Sequence, residues 1–483
     1  MQHCDYLIIG GGSAGCIVAK RLAERTKGRI ILIEAGKADE GDPAATDLFR
    51  LDEQTEDYDW GFMASTLAGS PPELKYARAR LLGGCANHND CAFIRPPDSD
   101  FDAWERLGAT GWNAAAMAPF YDRILSTINV EPAPCHPLSR AFIEAGKELG
   151  LSEVDFAKQA QQGTGLFPLN ARGRLRQSSS VAYLHPLKNL PKHLEIWTET
   201  FAEKLLLDGT TVIGAETSRG TIYARTVVLA CGSLQTPQLM MVSGLGPAAH
   251  LKDHGIAVIA DLPALGSHLR DHVAAPVVWE TREPIPPWDV CPFEATMMLQ
   301  LDEDAPAPDI LFHFGLRVRE KYGDHPRLGV DGPAVKASPN VTRARSEGRI
   351  RLSGATMRDK PVIDLNYFSD PYDMALLIRA MRFTRALGET AAMRAVTQAE
   401  IHPGPSVESD DEWTDYIRAV CETVYHPCGT AAIGKVVTPD LKVKGVDGLF
   451  IADASVFPSL ITVNINSAVM MTAEKAADLI CSG

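Results

Sequence analysis

No apolar run in the 483 residues approaches the ~20 that a membrane-spanning helix needs. The opening stretch Tyr6-Leu7-Ile8-Ile9 is too short for a secretory leader and has no basic region before it, so a membrane partner is not expected. Basic charge is also scarce: 47 Lys and Arg stand against 61 Asp and Glu, a net charge of −14. Nucleic-acid binding rests on clustered Lys and Arg, so no such partner is expected. The 10 cysteines form no CxxC and no paired zinc spacing, which speaks against a metal framework. Their scatter fits reduced thiols and predicts a cytoplasmic protein. Repeats and low-complexity tracts are absent as well. What remains is ordinary globular composition, 45% hydrophobic and 22% charged, on a chain long enough for two interleaved domains.

The opening residues carry the strongest local pattern. A short buried strand, residues 5–9, runs into Gly10-Gly11-Gly12-Ser13-Ala14-Gly15, then a helix to about Glu24 and a second strand over residues 29–33 that ends at Glu34. This is a βαβ start with G-x-G-x-x-G and an acid 19 positions after the last glycine (34 minus 15). Gly10, Gly12 and Gly15 let the backbone approach a pyrophosphate seated on the unpaired amides at Ser13 and Ala14, and Glu34 suits ribose hydroxyls rather than a 2′-phosphate. The same residues spell Gly11-x-Ser13-x-Gly15, the nucleophile elbow of serine hydrolases. An elbow normally follows several sheet strands, whereas this one follows the first.

Further along, residues 40–75 are turn-rich and residues 163–180 read as a polar loop. Helices are expected over residues 137–150, 373–387 and 468–480, and strands over 194–207 and 211–229. His250 and His254 have metal-ligand spacing on a helix, but without a third ligand they read as surface residues. Residues 80–91 place paired glycines among small and polar residues, with His88 and Asn89, as suits backbone pressed against a flat ligand. Near the C-terminus, His426 in Tyr425-His426-Pro427 is followed by Asn464 in Thr462-Val463-Asn464-Ile465-Asn466: an ionisable imidazole and a hydrogen-bonding amide.

Four segments occur in the order found in the glucose–methanol–choline (GMC) oxidoreductases: residues 10–15 with Glu34, residues 82–95, residues 231–247 and the His426/Asn464 tail. The run Leu265-Gly266-Ser267-His268-Leu269-Arg270-Asp271-His272 also resembles a motif of that family. The resemblance covers nearly the whole chain and is strongest to the choline-oxidising members. It implies an α/β fold, with a Rossmann-like FAD domain interleaved with an α+β substrate domain on an antiparallel sheet. The FAD part is expected over residues 1–140, 183–275 and 422–483, and the substrate part over 141–182 and 276–421.

The same resemblance implies that His88 is the candidate point of covalent FAD attachment. It extends the cofactor set to Trp60, Ala79, Leu82, Gly84, Asn89, Cys91, Ala202, Asp453, Ala454, Ile465 and Asn466. His313, Val424 and Tyr425 are expected on the substrate side. Asp90 and Asp289, which stand where the choline-oxidising members carry a serine and a glutamate, would hold an amine. The expected reaction is FAD-dependent oxidation of a primary alcohol to the aldehyde. His426 would take the hydroxyl proton, Asn464 would bind the oxygen, and hydride would pass to flavin N5, with oxygen or another electron acceptor completing the cycle. Amino alcohols come first as substrates and amino sugars second; pyridoxine-like or neutral alcohols are the alternatives within the family. Outside it stand a Ser13 hydrolase and a flavin-binding protein without turnover. Oligomeric state is left open.

Overall fold

The computed structural model describes residues 1–482 apart from 68–69, 188–190, 286–290, 292, 317, 319–327 and 331, and apart from the side chains of 70–73. Asp289 therefore lies outside the described residues. The opening strand Gln2–Ile9 sits near the middle of a seven-stranded sheet. Ile30–Ile33 and then Leu194–Trp197 pair beside it in parallel, and Gly220–Leu229 runs parallel on its other side. The far half of Gly220–Leu229 receives Leu449–Ile451 in parallel, and its near half turns back antiparallel through Thr211–Thr217 to Ala202–Asp208. Ile30 to Ile33 are all buried, the continuous apolar run expected of a parallel strand covered on both faces. Helix Ser13–Arg25 packs there with the last helix, Asn466–Ser482, and Arg21 and Tyr183 bond the fully buried Glu474 between them. The C-terminal strand and helix thus return to the sheet that the N-terminus begins.

A second, antiparallel sheet of eight strands runs in the order Thr397–His402, Val277–Thr281, Ala334–Val341, Ile310–Gly315, Phe293–Leu299, Gly163–Leu166; Val273–Ala274 and Glu422–Thr423 pair at its side. A five-stranded sheet containing Phe62–Leu67 and Ser70–Tyr76 adjoins them. The expected helices appear as Pro137–Glu148, Pro371–Gly388 and Asn466–Ser482. Among the described residues no helix is long and apolar enough to cross a membrane.

Two stretches differ from the sequence reading. The turn-rich 40–75 region contains two strands of that five-stranded sheet. Residues 163–180 are not one polar loop: they hold the short strands Gly163–Leu166, Pro168–Leu169, Ala171–Arg172 and Leu175–Arg176, and Thr164, Asn170, Arg176, Ser178, Ser179 and Ser180 are fully buried. Part of their polarity is met internally, as where Asn170 Nδ2 donates to the Gln177 carbonyl and Gln177 N returns a bond to the Asn170 carbonyl. Buried polar residues with partners look like loop residues in a sequence.

Candidate active site

One long cavity runs from the first turn of helix Ser13–Arg25 to the antiparallel sheet. At its first end Gly12 caps the helix with no side-chain hydrogen bond, so the leading amides at Ser13 and Ala14 remain available to an anion. Gly84 has φ +54°, and a Cβ there would lie 2.7 Å from Gly12 Cα, so these two glycines make the backbones meet where side chains would fill the cleft. Glu34 accepts from the amides of Gly11 (2.9 Å) and Gly36 (2.8 Å) and still faces the cavity. Burial pushes its carboxyl up to about 6 against those two amides.

Gly10, Trp60, Ala79, His88, Asn89, Asp90 and Ala202 line the same cavity, as do Val424, Tyr425, Asp453, Ala454, Ile465 and Asn466. Three expected cofactor residues stand behind the wall. A Cβ on Gly15 would sit 1.9 Å from the Gly10 carbonyl, so Gly15 serves helix–strand packing. Leu82 packs under Gly11, and the fully buried Cys91 faces Arg176, whose Nη1 donates to its Sγ at 3.3 Å. The uncapped helix, Glu34 and the glycine-lined cleft suit the pyrophosphate and ribose of a dinucleotide. Ser13 belongs to that first turn, and among the described residues no histidine or carboxylate reaches its hydroxyl, so the hydrolase reading falls.

At the other end three segments converge. The strand Glu422–Thr423 pairs with Val273–Ala274, and Arg270 bridges Cys428, which lays Asp271-His272 beside residues 424–427. Tyr425 adopts φ +62°, turning His426 into the cavity, and the His426 amide donates to Asp271 Oδ1 at 2.7 Å. The segment carrying Asn464 is held by Asp100, which accepts from the Thr462 amide at 2.6 Å and from Arg343 at 2.6 Å. His313 comes from Ile310–Gly315, stacked on Phe167 with ring centroids 5.4 Å apart.

Hydrogen-bond accounting fixes the protons. His272 Nε2 faces the carbonyls of Ile461 (2.9 Å) and Thr342 (3.1 Å), which only accept, so Nε2 carries hydrogen. Nδ1 of neutral His272 is then an acceptor. It lies 2.7 Å from His426 Nδ1, which must donate, and the lone pair of His426 is left on Nε2. Asn340 Nδ2 donates to the Leu311 carbonyl at 2.6 Å and to His313 Nδ1 at 3.2 Å, so His313 carries its hydrogen on Nε2. Asn464 Nδ2 sits 3.2 Å from His313 Nε2 and 3.5 Å from His426 Nε2. Two donors so close cannot satisfy each other. An oxygen set to one side of the pair can accept from both, next to a nitrogen lone pair that can take a proton.

All three rings are held neutral. Burial pushes His426 well below the ordinary imidazole value, and the neighbouring His272, His313 and Arg78 push the same way. Burial also lowers His272, against Asp271, and takes His313 down to about 3. His88, on the cavity wall, is brought down to about 4 by burial, against the pull of Asp59. An imidazole depressed in the fold takes up its proton on unfolding, so its contribution is present above about pH 6.5 and lost as pH falls towards its folded value. Glu34, raised to about 6, works in the opposite direction, so the sign is read from a difference. Relative to His313→Gln, the protein should lose about 1.4 kcal/mol of unfolding free energy per pH unit below about pH 6.5. Denaturant melts of both proteins across that range measure it; a pH-independent difference would remove the buried neutral His313.

Several residues of the site went unread in the sequence: His272, Asp271, Asn340, Lys336, Ser338 and Glu422, of which Lys336, Ser338 and Glu422 line the cavity. A local signal existed for some of them. Residues 336, 338 and 340 are polar at every second position of the wholly buried strand Ala334–Val341. His250, expected at the surface as one of a pair with His254, is partly exposed, and its Nε2 accepts from the Leu352 amide at 3.0 Å.

The GMC oxidoreductase family models match residues 4–274 and 344–473. Choline oxidase of Arthrobacter globiformis is 36% identical, over 100% of this chain and 95% of that protein. The oxygen-dependent choline dehydrogenase of Brucella suis biovar 1 (strain 1330) is 33% identical, over 99% and 95%. Among solved structures, pyridoxine 4-oxidase from Mesorbium loti superposes with a TM-score of 0.90 at 29% identity, over 98% of each chain.

Proposed function

This chain belongs to the GMC oxidoreductase family, and from that premise we propose that it oxidises an amine-bearing primary alcohol to the aldehyde, His426 Nε2 taking the hydroxyl proton while Asn464 and His313 hold the oxygen. The broader activity is the family's own: FAD-dependent oxidation of CH–OH groups. The finer reading is carried by one observation. A lone pair on His426 Nε2 and N–H donors on Asn464 and His313 surround one point of the cavity. A hydroxyl losing its proton needs that combination: a base for the hydrogen and donors for the developing negative oxygen.

FAD fits the cavity, with the amides at Ser13 and Ala14 for its pyrophosphate and Glu34 for its ribose. When bound it supplies the acceptor for the carbinol hydride. The remaining work falls to the side chains. His426 is neutral before substrate arrives, and its Nδ1–H bond to His272 stabilises the imidazolium formed on proton uptake. Asp271 fixes the backbone of both rings. Asn464 and His313 orient the carbinol carbon by holding its oxygen.

Asp90 on the cavity wall and the choline-oxidising relatives support an amine on the substrate, with Val424 and Tyr425 beside it. The relatives' names also support molecular oxygen as electron acceptor. A hydroxymethylpyridine is the second reading, favoured by the likeness to pyridoxine 4-oxidase and by the Phe293 ring on the same wall. An anaerobic screen of the holoprotein over amino alcohols, amino sugars, hydroxymethylpyridines and size-matched neutral alcohols tests the assignment. Faster loss of oxidised-flavin absorbance with the nitrogen-bearing alcohols is expected. Equal rates with neutral ones would remove the amine, and no bleaching by any alcohol would leave a flavin protein without turnover.

A further inference from the structure

Arg78, two residues past the strand Ser70–Tyr76, is partly buried and lines the cavity that holds His426, His313 and Asn464. Its Nη2 donates to the Tyr425 carbonyl at 2.8 Å and its Nε to the carbonyl of Ala77. Tyr425 is the residue whose φ of +62° turns His426 into the cavity, so the guanidinium stands beside the base. The rings of Tyr76 and Tyr425 lie against it, with centroids 5.2 and 5.8 Å from Cζ. Among the described residues Nη1 has no hydrogen-bond partner and no carboxylate pairs with Arg78. Asp271, which holds the His426 amide, is already taken up by two amides and three hydroxyls.

A guanidinium stays charged at any pH a protein meets, and neutral carbonyls and rings offset its loss of water only in part. A neutral amide would bond a carbonyl at lower cost. The histidines at the alcohol site are held neutral, and the cavity's other described cation, Lys336, lies beside Glu422. Alcohol oxidation brings a negative charge into this cavity. The hydroxyl proton goes to His426, the carbinol C–H pair leaves as hydride, the carbonyl forms, and the flavin that accepts the hydride gains one negative charge. His426 must then release its proton to serve as a base again, which the burial of its ring and the nearby cations favour. The charge left on the flavin calls for a partner that does not titrate.

We propose that Arg78 is the fixed counter-charge of the reduced flavin, its guanidinium stabilising the anionic form of the cofactor and so raising the reduction potential. The inference rests on the family's flavin and not on which alcohol is oxidised. It gives Arg78 a second task beside holding the peptide that aims His426.

Sulfite is the probe, because it charges the flavin without any alcohol. Its sulfur lone pair forms a bond to N5 of oxidised flavin, and the displaced electron pair leaves one negative charge on the ring system. Two variants separate charge from hydrogen bonding: Arg78→Gln keeps a donor for the Tyr425 carbonyl without the charge, and Arg78→Lys keeps the charge. In the holoproteins, Arg78→Gln should weaken sulfite binding on the order of 100-fold. Its two-electron midpoint potential, read against redox dyes, should fall by the corresponding amount, about 60 mV. Arg78→Lys should stay within about tenfold of the wild type in sulfite affinity. A mere fault in the aim of His426 would slow alcohol oxidation and leave sulfite affinity and potential unmoved. Wild-type affinity and potential in Arg78→Gln, or equal losses in both variants, would overturn the counter-charge, as would a wild-type flavin that takes up no sulfite. The expected sulfite pattern with no bleaching by any alcohol would support the counter-charge and overturn the alcohol reading instead.

Discussion

His426→Ala should slow flavin reduction by substrate about 10³-fold while the flavin stays bound. The size follows from what the ring does. His272 Nε2 is committed to two carbonyls, so its Nδ1 receives the His426 Nδ1–H at 2.7 Å and the one basic nitrogen left points at the cavity. Alanine removes that base and leaves Asn464 and His313 to hold an alcohol that cannot shed its proton. The flavin cradle lies elsewhere, at the helix beginning with Ser13 and at Glu34, so occupancy should persist. Stopped-flow absorbance without oxygen gives the rate, and the spectrum of the desalted variant gives the occupancy. Wild-type kinetics in the variant would move the base elsewhere, and loss of flavin would make His426 a cofactor residue.

Asp271→Ala should cost about 4 kcal/mol or more and also slow catalysis. The Asp271 carboxylate is nearly fully buried. It accepts the amides of His272 (2.9 Å) and His426 (2.7 Å) on Oδ1, and the hydroxyls of Tyr76 (2.7 Å), Tyr367 (2.8 Å) and Thr423 on Oδ2. Alanine leaves those donors buried without an acceptor, at about 1–3 kcal/mol each before water enters the space. It also frees the backbone that aims His426. Asn at 271 keeps one acceptor oxygen, and tyrosine hydroxyls can turn to accept from its amide, so Asp271→Asn should lose less. Denaturant melts of the three holoproteins measure the order wild type, Asn, Ala. An alanine variant as stable as the wild type would show that this network holds nothing.

Legibility in the sequence followed the range of the interactions. Gly10 to Gly15 and Glu34 were readable because strand, turn and helix impose their chemistry within one βαβ unit. His426 and Asn464 were readable as a motif pair, but that their side chains come within 3.5 Å depends on Asp271, 155 residues from His426, and on Asp100, 362 residues from Thr462. Asp271 and His272 lay within a recognised run, yet nothing local says that one carboxylate gathers both rings. The stretch 163–180 was misread because buried polar groups there bond one another, and the wall at 336, 338 and 340 went unread for a different reason. Polar alternation ordinarily marks a solvent-facing strand, and here the polar face meets an internal cavity. Asp90 was placed on that cavity, and with it came a cation, Lys336, that the expectation of an acid-lined pocket had not included.

The most direct test is a single anaerobic turnover of the wild-type holoprotein with an amine-bearing primary alcohol, unlabelled and then deuterated at the carbinol carbon. Oxidation by proton removal at His426 and hydride loss from carbon should bleach the flavin and yield one aldehyde per flavin, with the deuterated alcohol slower. An unbleached flavin, or bleaching without aldehyde, would contradict it.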